Sequence, residues 1–183
     1  MRRPVPSRAW LRPLAAGLLL AASGTAPAAV SLEAGRNPAG DVGVWRLSLD
    51  RPLAAPWGLD GGRSLGPLWE ASLGRLRARP GSPGDRPAVY EMGLRLVLRL
   101  GWGDAAGPFL EAGSGPEYLT RSHLDGHDLG IHWQFRSHAG VGMRFGAGGR
   151  WRLTYRYSHT SNANLGKPND GINFHVLRLG AAF

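Results

Sequence analysis

The sequence of 183 residues predicts an all-β fold, an eight-stranded antiparallel transmembrane β-barrel. Three observations predict it: an amino-terminal export signal, long segments that alternate with a period of two residues, and an aromatic last residue in phase with the final segment. The length suits a single domain. The absence of cysteine excludes a disulfide scaffold and a thiolate metal site.

Residues 1–28 have the composition of a cleaved secretory signal peptide. An arginine-rich start is followed by an apolar stretch over 14–22 and by Ala-Pro-Ala at 26–28, the pattern that signal peptidase cleaves. The apolar stretch is about half of the ~20 residues that a transmembrane helix needs, and no later segment approaches that length. We therefore expect a signal peptide at 1–28 and one barrel domain at 29–183.

Long alternating segments point to strands that cross a membrane. Between Ala88 and Leu100 the even positions are apolar, whereas the odd positions include Glu91, Arg95 and Arg99. The segment Ile131–Phe145 alternates in the same way. Strands of soluble proteins average about 5 to 6 residues, and a tilted strand that crosses a bilayer needs about 9 to 11. Both segments have the longer length.

The same alternation predicts eight strands, at about 29–36, 42–50, 67–77, 88–100, 108–116, 131–145, 151–161 and 172–183. With both ends in the periplasm, the loops after the odd-numbered strands face outside the cell. Two of the three periplasmic connections, 101–107 and 146–150, are short, as is usual in such barrels. The third, 51–66, is longer than this topology predicts.

Each predicted strand has one apolar face and one face that carries charge. The charged positions are Glu70, Glu91, Arg95, Arg99, Glu111, Arg152, Arg156 and Arg178. A soluble sandwich would bury the apolar face, whereas a membrane barrel turns it to lipid and packs the charges inside. The export signal, the strand length and the terminal Phe183 favour the barrel. Four tryptophans would then lie at the membrane interfaces, namely Trp45, Trp69, Trp133 and Trp151.

The net charge does not point to nucleic acid. The formal charge of +9 falls to about +5 without the four arginines of the signal segment, and the remaining basic residues are spread evenly. A nucleic-acid-binding protein gathers its basic residues on one face. We expect no nucleic-acid partner, and an anionic membrane surface fits this charge.

Two polar residues lie on the predicted lipid-facing side of the seventh strand. His159 and Ser161 alternate with the inward positions and lie about 7 Å apart. Polar groups that face hydrocarbon are costly to bury without partners. A serine nucleophile beside a histidine base is the arrangement of acyl-transfer enzymes. The alternative is that the pair merely lies at the level of the lipid headgroups.

The surrounding sequence resembles a known family. The stretch 157–173 contains His-Thr-Ser-Asn and Pro-Asn-Asp-Gly-Ile, and residues 108–113 read Pro-Phe-Leu-Glu-Ala-Gly. Both segments resemble PagL, the outer-membrane lipid A 3-O-deacylase family. The resemblance implies an eight-stranded barrel that hydrolyses the ester at the 3-position of lipid A and releases a 3-hydroxy fatty acid. It also implies a serine-histidine-acid triad at the outer surface, lipopolysaccharide as the substrate and no cofactor.

Carried over by position, the resemblance makes Ser161 the nucleophile and His159 the general base. It implies that Asn162 and Asn169 hold the site or its oxyanion. Asn173 occupies the position where the family commonly has a carboxylate, and it lies in phase with the lipid-facing residues of the last strand.

The amide at position 173 is the one departure from the family pattern. An asparagine can accept the ring N–H of histidine and fix its tautomer, but it cannot stabilise the imidazolium with a full charge. Three alternatives follow: a triad with an amide, a dyad assisted by Asp170, or a weakened enzyme. We favour the first.

Other polar residues of the loops have less specific patterns. The segment between the fifth and sixth strands contains His123, His127, His132, Asp125 and Asp128. Their spacing matches no compact zinc pattern, so we expect a polar loop and no metal. Lys167 and Arg121 are candidates for contact with lipid A phosphates.

Three classes of function remain open. The first is an esterase on lipid A. The second is a non-catalytic small barrel with a structural or partner-binding role, and the third is a barrel that admits a hydrophobic ligand into its interior. A homodimer that pairs through the lipid-facing aromatic surface is also open.

Overall fold

Eight long antiparallel strands form the protein. The computed structural model describes residues 28–79, 88–103 and 105–183. The predicted signal peptide lies outside the described residues. The long strands are β1 (Ala29–Arg36), β2 (Val42–Pro52), β3 (Arg63–Ala78), β4 (Val89–Trp102), β5 (Gly107–Leu119), β6 (Trp133–Phe145), β7 (Trp151–Ser161) and β8 (Ile172–Ala182).

The sheet closes on itself. Each strand pairs with the next one in the chain, and β8 pairs with β1 from Ala29↔Ala182 to Arg36↔His175. Closure leaves no unpaired sheet edge, which is the condition for strands in a hydrocarbon environment. The predicted all-β, eight-stranded antiparallel barrel is confirmed.

The strand boundaries differ most from the prediction at β3. This strand begins at Arg63 rather than at residue 67, because its first residues pair with β4 and with a short strand, Trp57–Leu59. Trp57 lies opposite Leu65, so the long connection 51–66 folds back as a small hairpin. This pairing explains why the connection 51–66 is longer than the topology alone predicts.

Helical structure is minor in the part of the chain that the structure describes. A single 3-10 turn, Ala147–Gly149, closes the connection between β6 and β7. Gly149 has a φ of +68°, and a Cβ at this position would lie 1.9 Å from the Ala105 carbonyl oxygen, so the turn requires glycine. No helix of the described residues is long and apolar enough to span a bilayer.

The charged face of each strand points into the barrel, as the membrane-barrel interpretation of the sequence predicted. Six carboxylates are buried there: Glu33, Asp50, Glu70, Glu91, Glu111 and Glu117. The arginines opposite them are Arg46, Arg95, Arg99, Arg136, Arg152, Arg156 and Arg178. Charges in such an interior are tolerated because each faces an opposite charge at hydrogen-bonding distance.

The outer wall is apolar in its middle and carries tryptophan towards both rims. Trp133 begins β6 and Trp151 begins β7, so the two lie at opposite ends of the barrel. Both are exposed, as is Trp45 on β2, whereas Trp69 on β3 is half-buried. This distribution agrees with the predicted belts of interfacial aromatic residues.

Candidate active site

The predicted nucleophile and base lie at the end of β7, on the outer wall. Ser161 is the last residue of the strand, and His159 precedes it by two residues on the same face. The inward residues between and before them, Thr160 and Ser158, are buried in the barrel, whereas His159 is exposed. The alternation of β7 therefore presents both side chains on the lipid-facing side.

Asn173 lies directly opposite His159 on the neighbouring strand. Asn173 is the second residue of β8, and the register pairs it with His159. The Nδ1 atom of His159 donates a hydrogen bond to Asn173 Oδ1 at 2.8 Å. A neutral imidazole with its proton on Nδ1 carries a free lone pair on Nε2, which is the tautomer that a general base needs.

The Ser161 hydroxyl forms no hydrogen bond with His159 or with another described residue, although its backbone pairs with Phe135 in the sheet. Successive outward positions of a strand are about 7 Å apart, so the two side chains have to lean towards each other to meet. Hydrogen bonds of a catalytic pair are often formed only when substrate is bound. The roles of Ser161 as nucleophile and His159 as base stay predictions.

Gly171 packs against the imidazole and was not singled out from the sequence. Its φ is +63°, and a Cβ there would lie 2.9 Å from His159 Cε1 and 3.5 Å from Nε2. A side chain at this position would displace the ring. The Asp-Gly dipeptide at 170–171 is a turn signal that could have indicated it.

Asn162 anchors the loop that follows β7. Its side chain is fully buried, and its Nδ2 donates to the carbonyl oxygens of Leu129 at 2.9 Å and Gly166 at 3.0 Å. Its backbone N–H donates to Asn169 Oδ1 at 2.9 Å. The sequence left open whether Asn162 supports the site or binds the oxyanion. These hydrogen bonds are those of a residue that supports the loop. Asn169 keeps its Nδ2 near Asn164 Oδ1, at 3.3 Å on the exposed side.

Asp170 ties this loop to the loop between β5 and β6. Its Oδ2 accepts a hydrogen bond from the Asp128 backbone N–H at 2.8 Å, and its own N–H donates to the Asp128 carbonyl at 3.2 Å. His159 uses its Nδ1 for Asn173 instead. The structure thus brings Asn173 to the histidine and places the Asp170 carboxylate on the neighbouring loop.

The side chains of two of the histidines between β5 and β6 have a local partner, and His127 pairs through its backbone with Leu124. His123 Nε2 lies 2.7 Å from Asp128 Oδ2, and His132 Nδ1 lies 2.7 Å from the Leu119 carbonyl oxygen. Within residues 28–79, 88–103 and 105–183, no group of three or more histidine or acidic side chains is arranged to hold a metal.

Comparisons with known proteins identify the family of this chain. The family model described as lipid A 3-O-deacylase (PagL) matches residues 43–182. A protein named lipid A deacylase PagL from Bordetella bronchiseptica is 29% identical over 137 residues, covering 74% of this chain and 63% of the relative. Another of that name, from Pseudomonas aeruginosa, is 36% identical over 75 residues, covering 41% of this chain and 42% of the relative.

A solved structure is similar over most of the chain. The crystal structure of the outer membrane enzyme PagL matches with a TM-score of 0.72 and 25% identity, covering 84% of this chain and 98% of that one. The matches to the two named relatives cover less than two thirds of those proteins. The resemblance that residues 157–173 carry is confirmed, because the family model extends over all the strands from β2 to β8. The chain belongs to the PagL family.

Proposed function

We propose that this protein is a serine esterase of the outer membrane that removes the 3-O-linked hydroxyacyl chain from lipid A. One observation carries the proposal: the His159–Asn173 hydrogen bond of 2.8 Å on the outer wall, with Ser161 two residues further along the same face. Family membership supports the same activity, since the family model is described as lipid A 3-O-deacylase.

The reaction proceeds in two steps through an acyl-enzyme. His159 Nε2 takes the proton of the Ser161 hydroxyl as Oγ attacks the ester carbonyl. The tetrahedral intermediate collapses, the sugar 3-oxygen leaves with the proton from His159, and the acyl chain stays on Ser161. His159 Nε2 then takes a proton from water as the water attacks the acyl-enzyme, and it returns this proton to Ser161 Oγ as the 3-hydroxy fatty acid leaves.

Asn173 orients the base without adding charge. Its Oδ1 accepts the Nδ1 proton and so fixes the tautomer with Nε2 free. The imidazolium that forms in each step faces an amide dipole instead of a carboxylate. We expect this enzyme to be slower than one with an acid at this position.

The loop after β7 supplies the remaining groups. Asn162 has its Nδ2 committed to backbone carbonyls, so we assign it to support. Asn169 has a weaker commitment, a 3.3 Å contact on the exposed side, and we assign its side-chain N–H to the oxyanion. No step requires a metal or an organic cofactor.

The position of the site indicates how substrate arrives. His159, Ser161 and Asn173 face outward near one rim, so an ester held in a membrane leaflet reaches them from the side. Lipid A lies in the outer leaflet, which places this rim at the cell exterior. Residues 1–28 then act as the export signal, and the protein recovered from outer membranes should begin at Ala29 by mass spectrometry. One chain suffices for the reaction, because neighbouring strands of the same barrel supply all three residues, whether or not a homodimer forms.

A barrel that holds a hydrophobic ligand inside is less well supported. The cavity lined by Glu33, Arg46 and Arg156 has a volume of about 10 Å³. Such a volume is at the lower limit for a single water molecule. The charges of the interior leave little room for an apolar guest.

Mass spectrometry of lipid A tests the proposal. Cells that express the parent chain should lose one 3-hydroxyacyl mass, and cells that express Ser161→Ala should keep it. The matched control is Ser137→Ala, an exposed serine on β6 that lies opposite His159 and should leave deacylation intact. Unchanged lipid A in all three strains, with a folded barrel in the outer membrane, would instead support the non-catalytic alternative.

A further inference from the structure

A groove on the outer wall lies beside the proposed catalytic residues. It has a volume of about 540 Å³ and crosses β7, β8, β1 and β2. Its polar lining includes Arg36, Tyr155 and His175, and Trp45 and Leu177 supply apolar walls. Gly43 also lines the groove and adds no side chain to fill it.

The register places this groove next to the site. His175 follows Asn173 by two residues on the same outward face of β8, and it pairs with Arg36, the last residue of β1. Strands lie about 5 Å apart and outward residues about 7 Å apart along a strand, so the Cα atoms of Arg36 and His159 are about 12 Å apart. On the same spacings the Cα atoms of Arg36 and Ser161 are about 17 Å apart, a distance that a phosphorylated disaccharide with its ester at Ser161 and the extended Arg36 side chain span together.

The polar groups of the groove suit an anion. Tyr155 Oη and His175 Nδ1 lie 2.6 Å apart. When the tyrosine hydroxyl donates to Nδ1, the neutral imidazole carries its proton on Nε2 and presents a donor. The guanidinium of the exposed Arg36 forms no hydrogen bond or ion pair with another described residue, so it is available to an incoming group.

The sign of the charge on the outer wall also favours an anionic ligand. Every carboxylate of the eight strands is buried inside the barrel. The charged residues at outward strand positions near the active-site rim are Arg36, Arg75 and Arg77. The outward strand positions described at this rim thus carry only cations, which complement the phosphates of a lipid headgroup, whereas carboxylates such as Asp41 lie in the connecting loops. Of the three arginines, only Arg36 lines the groove.

We infer that the groove binds a sugar phosphate of the lipid A substrate, with Arg36 and the His175–Tyr155 pair as its ligands. The inference rests on the proposed function for the choice of lipid. A guanidinium pairs with phosphate through two parallel N–H donors, which fixes orientation as well as charge. The groove therefore positions the sugar so that the 3-O ester lies at Ser161.

A binding experiment tests the groove without requiring turnover. The full chain with Ser161→Ala, in detergent micelles, is titrated with lipid A that carries its sugar phosphates and with lipid A from which they have been removed. We expect the phosphorylated form to bind about tenfold tighter or more, as for a hydrogen bond to a charged group. Arg36→Gln should remove that preference, and Arg36→Lys should restore part of it.

The matched control is Arg77→Gln, an exposed arginine of the same rim that lies two strands from Arg36 and outside the groove. It should keep the preference. If Arg36→Gln and Arg77→Gln reduce the preference for phosphorylated lipid A equally, the preference comes from the general positive charge of the rim and the inference is wrong. A preference that survives Arg36→Gln would also overturn the inference. The assay measures binding and not turnover. A parent chain without deacylase activity would refute the proposed function, but it would not change the measured preference for phosphorylated lipid A.

Discussion

The inner and outer faces of the barrel both carry polar residues, but the two sets are organised differently. Inside, each carboxylate meets more than one cation: Glu70 lies 2.8 Å from Arg95, 2.8 Å from Arg156 and 3.3 Å from Arg178. Outside, His159 has one side-chain partner, Asn173, and Ser161 has none among the described residues. Shared partners make the interior a stabilising network, whereas sparse partners leave His159 and Ser161 available for the proposed reaction.

The largest effect that this contrast predicts is on catalysis by the outer set. Ser161→Ala should reduce deacylation about 10⁶-fold, because the proposed nucleophile is removed and only binding and oxyanion contacts remain. Its free energy of unfolding should match that of the parent within about 0.5 kcal/mol, as for an ordinary surface substitution. Activity is measured by release of the 3-hydroxy fatty acid, and unfolding by urea titration. A variant that loses both would place Ser161 in the structural set.

The converse substitution acts on the interior. Glu70→Gln removes the charge that three arginines share, and we expect the free energy of unfolding to fall by about 3 to 5 kcal/mol. Tryptophan fluorescence during urea unfolding of the barrel measures the loss. Ser158→Ala, which deletes a buried inward hydroxyl without charge, is the matched control and should cost less. An unchanged midpoint for Glu70→Gln would mean that the interior network contributes little.

A smaller effect should follow from restoring charge beside the base. Asn173→Asp keeps the length of the side chain and the acceptor for His159 Nδ1, and adds a carboxylate that stabilises the imidazolium. We expect kcat to rise by about 10- to 100-fold, since a hydrogen bond to a charged group is worth roughly 1.5 to 3 kcal/mol. Asn173→Leu, which offers no acceptor, should lower kcat instead. If both variants behave like the parent, Asn173 does not act through His159.

The smallest effect concerns the backbone that holds the ring. Gly171→Ala introduces a Cβ that would lie 2.9 Å from His159 Cε1, at a residue with a φ of +63°. The strain of about 1 kcal/mol at such a φ and the displaced ring should lower kcat several-fold with little change in KM. Gly148→Ala, which has a similar φ of +62° and open space around it, is the matched control. A loss of kcat in the control as well would point to general destabilisation of the fold.

The sequence predicted the features of the site that depend on neighbouring residues, but not those that depend on residues distant in the chain. The alternation of β7 and β8 predicted which side chains face outward, because a period of two follows from local geometry. It also predicted that His159, Ser161 and Asn173 share a face. The pairing of His159 with Asn173 depends on the register between two strands, which the connecting loop of residues 162–171 determines and which alternation does not encode.

Long-range partners account for the rest. The extension of β3 to Arg63 depends on the back-folded strand Trp57–Leu59, whose three residues are too short for a periodic pattern. The role of Asn162 as an anchor depends on the Leu129 carbonyl, which belongs to a loop 33 residues away in the chain. Such partners were beyond what spacing or composition could identify.

The groove crosses the pairing between the first and last strands, so it forms only when the barrel closes. The pairing of Arg36 with His175 belongs to the seam between β1 and β8, which joins the most distant strands of the chain and carries a large entropic cost of loop closure. The His159–Asn173 pair, by contrast, belongs to one hairpin of neighbouring strands. A chain in which β1 and β8 have not yet paired would hold the proposed catalytic pair without the groove, and we expect the proposed lipid cleavage to begin only once the barrel is closed.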